Sequence, residues 1–394
     1  MPFHRFRSLF AFAVAAAAGA LPVAAAADVA PPASLVSNYE TASGNVLQRD
    51  CGFSHQLPGN SSLAVWLFCD TPIASSGGTV IGFIPGSSAA VGPFTPGRVP
   101  TDLSEIPTPP APIESLPSAQ APQRFLPTPD GLVLPDGTTR CGASGSNSYA
   151  ATWMSGVNRE PSSANRSLLL ISFTDVCVSG GSAITTERFG IAEYNPATNT
   201  VTAMTRVFAT ASPGQDLGTT APQLLLGSPV FSGSFLYLFS ARCSSAGFGA
   251  CGAGSVYLAR TPANPTSWRQ SSTYQFFDPG ASGGWTRDPA SAQSVISGAQ
   301  PFAVTADSFS SVGQGLDLVE ETSLGGNFRV WTASSPPGPW TQKTSGQVPC
   351  TSGSGALNFC RALIGHPELS TSSQLLLSFY DPGTDHVRIA STPW

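Results

Sequence analysis

The chain has 394 residues, of which 41% are hydrophobic and only 10% charged, against roughly 25% charged in an ordinary globular protein. That apolar content suffices for a sizeable core, so the low charge does not mark disorder. A formal net charge of −5 and a single lysine, Lys343, exclude nucleic acid as a partner, because such binding rests on clustered basic groups that displace counterions.

Residues 1–27 read as a secretory signal peptide. "MPFHRFR" supplies a basic start, "LFAFAVAAAAGALPV" an apolar stretch, and the alanine run ending at Ala27 a small-residue cleavage site. Loss of Arg5 and Arg7 with that leader leaves 16 basic and 23 acidic residues, a net charge of −7. No second apolar stretch is long enough to cross a bilayer, so a secreted, extracellular chain with no integral membrane span is expected. All eight cysteines lie after the leader. An even number in an exported chain favours disulfides over metal ligation.

Downstream, helical periodicity is nearly absent and a strand pair recurs. Its first members are "SLAVWLFCD", "SLLLISFTDVC", "FLYLFSARC", "LDLVEET" and "QLLLSFYDP", starting at residues 62, 167, 235, 316 and 374. The second members are "TVIGFIP", "RFGIAEYNPATN", "SVYLARTPANPTSW", "FRVWTASSPPGPW" and "VRIASTPW". Three of them end in a proline turn and a tryptophan, at Trp268, Trp340 and Trp394. Repetition of one supersecondary unit predicts an all-β fold, a five-bladed β-propeller over residues 34–394. A two-sheet sandwich needs fewer residues and gives no reason for five copies. Residues 85–135 break the rhythm with 13 prolines in 51 residues. Such a stretch is expected to form no interior strand and reads as an insertion between blades one and two.

The cysteines test hairpin register. In "RDCGFSHQLPGNSSLAVWLFCD" a turn centred on Asn60 sets Cys51 opposite Cys69. In blade two a turn at Arg159 would set Cys141 opposite Cys177. Cys243–Cys251 and Cys350–Cys360 would close short loops, out of 105 pairings open to eight cysteines. The first register also sets Asp50 opposite Asp70, two carboxylates roughly 5 Å apart whose pKa values would be driven apart. The bland alternative leaves both exposed at the blade end, with Asp70 capping the turn before Thr71 and Pro72.

"RDCGFS" followed by "AVWLFCDT" resembles the opening blade of a family of secreted actinobacterial five-bladed propellers of formerly unknown function, whose usual form is "RDGG" and then "LWVFGDT". Some members are endo-D-arabinanases acting on mycobacterial cell-wall arabinan. "GHPELS…LLLSFYD" is similar to the closing blade of that family and of arabinanase-like glycosidases more widely. The resemblance implies that Asp50 is base or nucleophile and that His366 looks into the central channel toward a metal or water. It departs in two places. Cys69 stands where glycine is usual, and "PQLLLGSPVFSGSFLYLFSARC" of blade three lacks the general-acid glutamate. The acid is then expected at Glu368, with Glu320 or Glu321 next. Arg49, His366 and Trp153 are the candidates for substrate or channel contact, Trp153 by stacking on a sugar.

Each assignment has a plainer competitor. Glu368 could pair with Arg361, His366 could be a satisfied core residue, and most tryptophans, including Trp285 and Trp331, fill space between blades. "GASGG", Gly280 to Gly284, fits a nucleophile elbow only with a strand before and a helix after, and reads as a loop. "DPGTD", Asp381 to Asp385, reads as a hairpin turn. No zinc spacing exists among His55, His366 and His386, and no cofactor is expected. A channel cation such as Ca²⁺ has no legible ligand set. The sequence therefore supports a monomeric, extracellular glycoside hydrolase acting on a furanoside-rich, arabinan-type polysaccharide. The alternative is a non-catalytic propeller that binds glycan or a surface partner.

Overall fold

The computed structural model describes residues 29–100, 102–107, 113, 119–128, 141, 148–161, 167–179, 183–209, 227–243, 254–296, 303–308, 315–353 and 358–393. Among them the fold is nearly all-β, with two short α-helices, Asn38–Ser43 and Pro265–Trp268. The leader, Trp394 and Cys251 lie outside these residues.

Antiparallel sheets follow one another along the chain. The first sheet is built on Cys51–Leu57 and Asn60–Phe68, and the second runs Ser148–Arg159, Leu169–Ser179, Ala183–Asn195 and Thr200–Ala209. The third begins Ser228–Ser232, Phe235–Cys243 and Gly254–Pro262. The fourth runs Ala303–Ser308, Leu316–Glu321, Asn327–Ala333 and Thr341–Gln347. The fifth holds Arg361–Gly365, Gln374–Asp381 and His386–Pro393. The second strand of the first sheet ends in a continuous apolar run because both of its faces are covered. Ala64 through Phe68 have no exposed surface.

The core is a series of apolar layers, each between one sheet and the next. Val65, Leu67 and Val91 meet Met154, Ile171 and Phe173. Leu170 and Ile191 meet Leu236 and Leu238, and Phe239 and Leu258 meet Leu316 and Leu318. Val319 and Val330 meet Leu375 and Leu377. The last layer joins Leu376 and Ile389 of the fifth sheet to Trp66 and Phe68 of the first. The first strands of the five sheets likewise pack each against the next, and the fifth against the first. The tryptophans after the proline turns reach back one sheet. Trp268 donates its indole N–H to Glu193, and Trp340 packs edge-on against Phe239.

The N-terminal segment fastens this seam. Ala33 and Ser34 pair with Ile389 and Arg388 of the last strand, and Val36 and Ser37 pair in parallel with Asp102 and Leu103 of the first sheet. A capping box on Ser37 and Glu40 starts the short helix that follows. His386 reaches Glu40 at 3.2 Å.

Three expectations are corrected. "TVIGFIP" is not the third strand of the first sheet. Val80–Ile84 pairs instead with Thr71–Ala74 in a separate three-stranded sheet. The third and fourth strands of the first sheet, Ser88–Pro93 and Asp102–Glu105, lie inside the proline-rich stretch, and Ser88–Pro93 is an interior strand. The reason is local: "SSAAVG" carries no proline, so its N–H groups remain free to join the ladder. The hairpin of blade two is also longer than expected. Cys177 pairs with Ala150 rather than Cys141, and the connection lies beyond Arg159. The Cys141–Cys177 bridge forms nonetheless, as do Cys51–Cys69 and Cys350–Cys360. "DPGTD" is a hairpin turn between Gln374–Asp381 and His386–Pro393, and "GASGG" is a turn with no α-helix after it.

Candidate active site

The first strands of the five sheets border a central space with two differently furnished ends. The hairpin Cys51–Phe68 keeps the expected register from Phe53 to Gln56 and slips by one residue at Gly52. Beyond that slip Asp50 opposes two residues. Its N–H donates to the Asp70 carbonyl at 3.1 Å, and its own carbonyl accepts from Cys69 at 2.9 Å. A bulge of this kind bends a strand and re-aims its side chains, and here it leaves Asp50 facing Asp70.

The two carboxylates have different partners. Asp70 is buried and accepts from the Gly86 N–H at 2.7 Å and the Tyr149 hydroxyl at 2.7 Å. Gly86 has φ +97°, and a Cβ there would come within 2.8 Å of the Thr152 nitrogen, so the N–H reaches Asp70 only because the residue is glycine. Asp50 keeps 27% of its side chain exposed and accepts from the Arg361 Nε at 2.7 Å. Burial raises the Asp50 pKa, Arg361 opposes the rise, and the Asp70 charge adds to it. Burial likewise raises Asp70, against the Gly86 and Tyr149 bonds. The Trp153 indole beside Asp70 eases that rise, although its buried Nε1 has no hydrogen-bond partner of ordinary geometry. Arg361 lies 3.8 Å over the Tyr380 ring, and Phe83 packs edge-on against Tyr149 at 5.0 Å.

The other candidates fall elsewhere. Glu368 sits on the turn Pro367–Leu369 and accepts from the Ser54 hydroxyl, which also contacts His366 Nδ1 at 2.7 Å. Ser54 is four residues beyond Asp50, roughly 13 Å along an extended strand. Glu368 therefore belongs to the far end, where it borders a small open pocket with Ser54, Thr305 and Asp317. Arg361 pairs with Asp50, not with Glu368. His366 has no exposed surface and packs against Trp66 at 5.0 Å; burial lowers its pKa to about 3, so the ring is neutral. Its Nδ1 donates to Ser54, whose own proton goes to Glu368, and the buried Nε2 is left without a partner. Arg49 points away from both ends, buried in an ion pair with Glu105 and 4.3 Å over the Phe68 ring.

Glu320 and Glu321 alternate across their strand. Glu320 accepts from the Trp331 indole and lies 3.9 Å from Arg329. Glu321 turns toward the fifth sheet, where burial pushes its pKa up to about 8. Sequence reasoning missed Tyr149, Gly86 and Tyr380 altogether. No described group of three or more His, Cys, Asp or Glu residues gathers as a metal site, and no described helix is long and apolar enough to cross a membrane.

No family model and no curated protein matches the chain. Among solved structures it is similar to a Bacteroides ovatus protein provisionally described as a hydrolase, at TM-score 0.53 and 14% identity, covering 87% of this chain and 85% of that one. The two share a fold. At TM-score 0.46 and 9% identity it is similar to a family 117 glycoside hydrolase of Zobellia galactanivorans, covering 93% and 91%. At TM-score 0.45 and 10% identity it is similar to a family 43 β-xylosidase/α-arabinofuranosidase from a compost metagenome, covering 93% and 94%.

Proposed function

We propose that the chain is a secreted five-bladed β-propeller that hydrolyses glycosidic bonds in a furanoside-rich, arabinan-type polysaccharide. The five apolar layers, the last of them joining the fifth sheet to the first, support the blade count. One observation carries the chemistry: Asp50 and Asp70 face one another across a bulge at the same end of the central space. Both carboxyls are penalised for being charged, so the pair holds one proton more readily than two separate aspartates would.

Asp50, the more exposed and beside Arg361, acts as base or nucleophile. Asp70 keeps the proton on the pair and delivers it toward the leaving oxygen. Glu368, at the far end, has no part in bond cleavage. The polysaccharide approaches past Tyr149 and Phe83, and the protein works as a monomer without a cofactor.

The test is release of reducing ends from arabinan and arabinogalactan by the chain lacking residues 1–27, beside Asp50→Asn and Asp70→Asn. Release by the parent chain and loss in both variants is expected. Binding of either glycan without release would replace hydrolysis with recognition. Release that survives both substitutions would remove this pair from the chemistry.

A further inference from the structure

The fully buried Glu321 serves no purpose in the pair described above, yet it lies one contact away from it. Its strand, Leu316–Glu321, is buried throughout. Alternation places Asp317, Val319 and Glu321 on the face that meets the fifth sheet's first strand. That approach is close: a Cβ on Gly365 would lie 2.5 Å from a Val319 methyl.

The strand Arg361–Gly365 is itself bulged. Arg361 pairs with Tyr380 and Ile364 with Ser378, so one extra residue is looped out, and Ala362 adopts φ +55°. The bulge takes the Leu363 N–H out of the ladder. Glu321 Oε2 accepts it at 3.2 Å, while Oε1 is buried without a hydrogen-bond partner. A buried backbone N–H left unpaired costs on the order of a hydrogen bond. The glutamate thus fixes the irregular backbone two residues from the guanidinium that grips Asp50.

We propose that Glu321 is a positioning residue: by capping the bulge at Ala362 and Leu363, it holds Arg361 against Asp50. The inference rests on the reading of Asp50 as a reacting group. The charged and titratable groups around it are Arg361, with Asp50, Asp70, Tyr149 and Tyr380 behind that guanidinium, Asp317 on the same strand face with Lys343 beside it, and Arg329, which lies near Glu320. Uncharged, the Glu321 carboxyl does not compete with Asp50 for Arg361. Ionised, above about pH 8, it becomes a second anion drawing on the same guanidinium.

The experiment follows the ¹³Cζ resonance of Arg361 in the chain lacking residues 1–27 between pH 6 and 10, assigned by its disappearance in Arg361→Lys. A step near pH 8 is expected in the parent and none in Glu321→Gln, which keeps the acceptor without the charge. An identical step in both chains, or none in the parent, would overturn the proposal. If Glu321→Gln does not fold, Asp50→Asn serves instead: a persisting step belongs to Glu321, and a vanished one overturns the assignment. Activity on arabinan supplies the second arm, with an alkaline decline above pH 8 that Glu321→Gln removes while keeping the neutral rate within about twofold. The resonance requires no substrate, so a positive step with no hydrolysis would count against the function and not against the positioning.

Discussion

The two ends of the central space use the same kinds of side chain for opposite results. At the Asp50 end, carboxylates face each other and are coupled through charge, with one arginine shared among their surroundings. At the Glu368 end, the carboxylate accepts from Ser54, Ser54 accepts from a neutral His366, and the chain of bonds closes on itself save for one ring nitrogen. A carboxylate that accepts from a neutral hydroxyl is at rest, whereas two that face each other hold a proton more readily. The backbone explains the contrast. Bulges at Gly52 and Ala362 unseat both strands where Asp50 and Arg361 stand, while the turn Pro367–Leu369 carries Glu368 out of the ladder.

The sharpest way to break the comparison is Asp50→Asn, which should lower kcat on arabinan by about 10²–10⁴-fold, the range supplied by a positioned acid or base; an unimpaired variant would make both ends structural. Tyr149→Phe removes one donor to Asp70. A hydrogen bond to a charged group is worth about 1.5–3 kcal/mol, so the alkaline limb of the pH–rate profile, set by loss of the proton on Asp70, should move upward by about one unit or more. An unmoved limb would separate Asp70 from the reaction.

Asp50→Asn should also change stability with a definite sign. Asp50 binds its proton more tightly folded than unfolded, so its contribution is present at low pH and is lost as pH rises through the folded pKa. The difference in Tm, variant minus parent, should therefore be more positive at pH 7 than at pH 3, by about 1–2 °C. Calorimetry at the two pH values decides it, and a difference of opposite sign would place Asp50 in a net stabilising ion pair with Arg361. The smallest effect is expected from Glu368→Gln, with kcat within about threefold of the parent. A loss as large as that of Asp50→Asn would join the two ends into one site.

Much of this was readable from residues alone. The five apolar runs and the proline-turn tryptophans mark the sheets because covered strands are mostly apolar and because Trp268 and Trp340 each reach back to the preceding sheet. Asp50 and Asp70 were legible because the "PGN" turn sets their register. Ser88–Pro93 was hidden by the density of prolines around it, though the strand itself contains one only at its last position. Arg361 entered only as the plainer alternative for Glu368, an ion-pair partner seven residues away, and not as a neighbour of Asp50. The bulge that swings it to Asp50 depends on a single left-handed residue, Ala362, which leaves no trace in composition. Tyr149 arrives from the second sheet, and no spacing within one hairpin announces a contact of that range.

The pairing of Ala33 and Ser34 with Arg388 and Ile389 bears on how the molecule comes into being. Most strand pairs elsewhere are hairpins between near neighbours, which close quickly, whereas this contact spans nearly the whole chain and needs the last strand in place. Until then the Trp66 and Phe68 face of the first sheet lacks the Leu376 and Ile389 layer that covers it. Fastening the fifth sheet to the first is thus also the step that covers this apolar face.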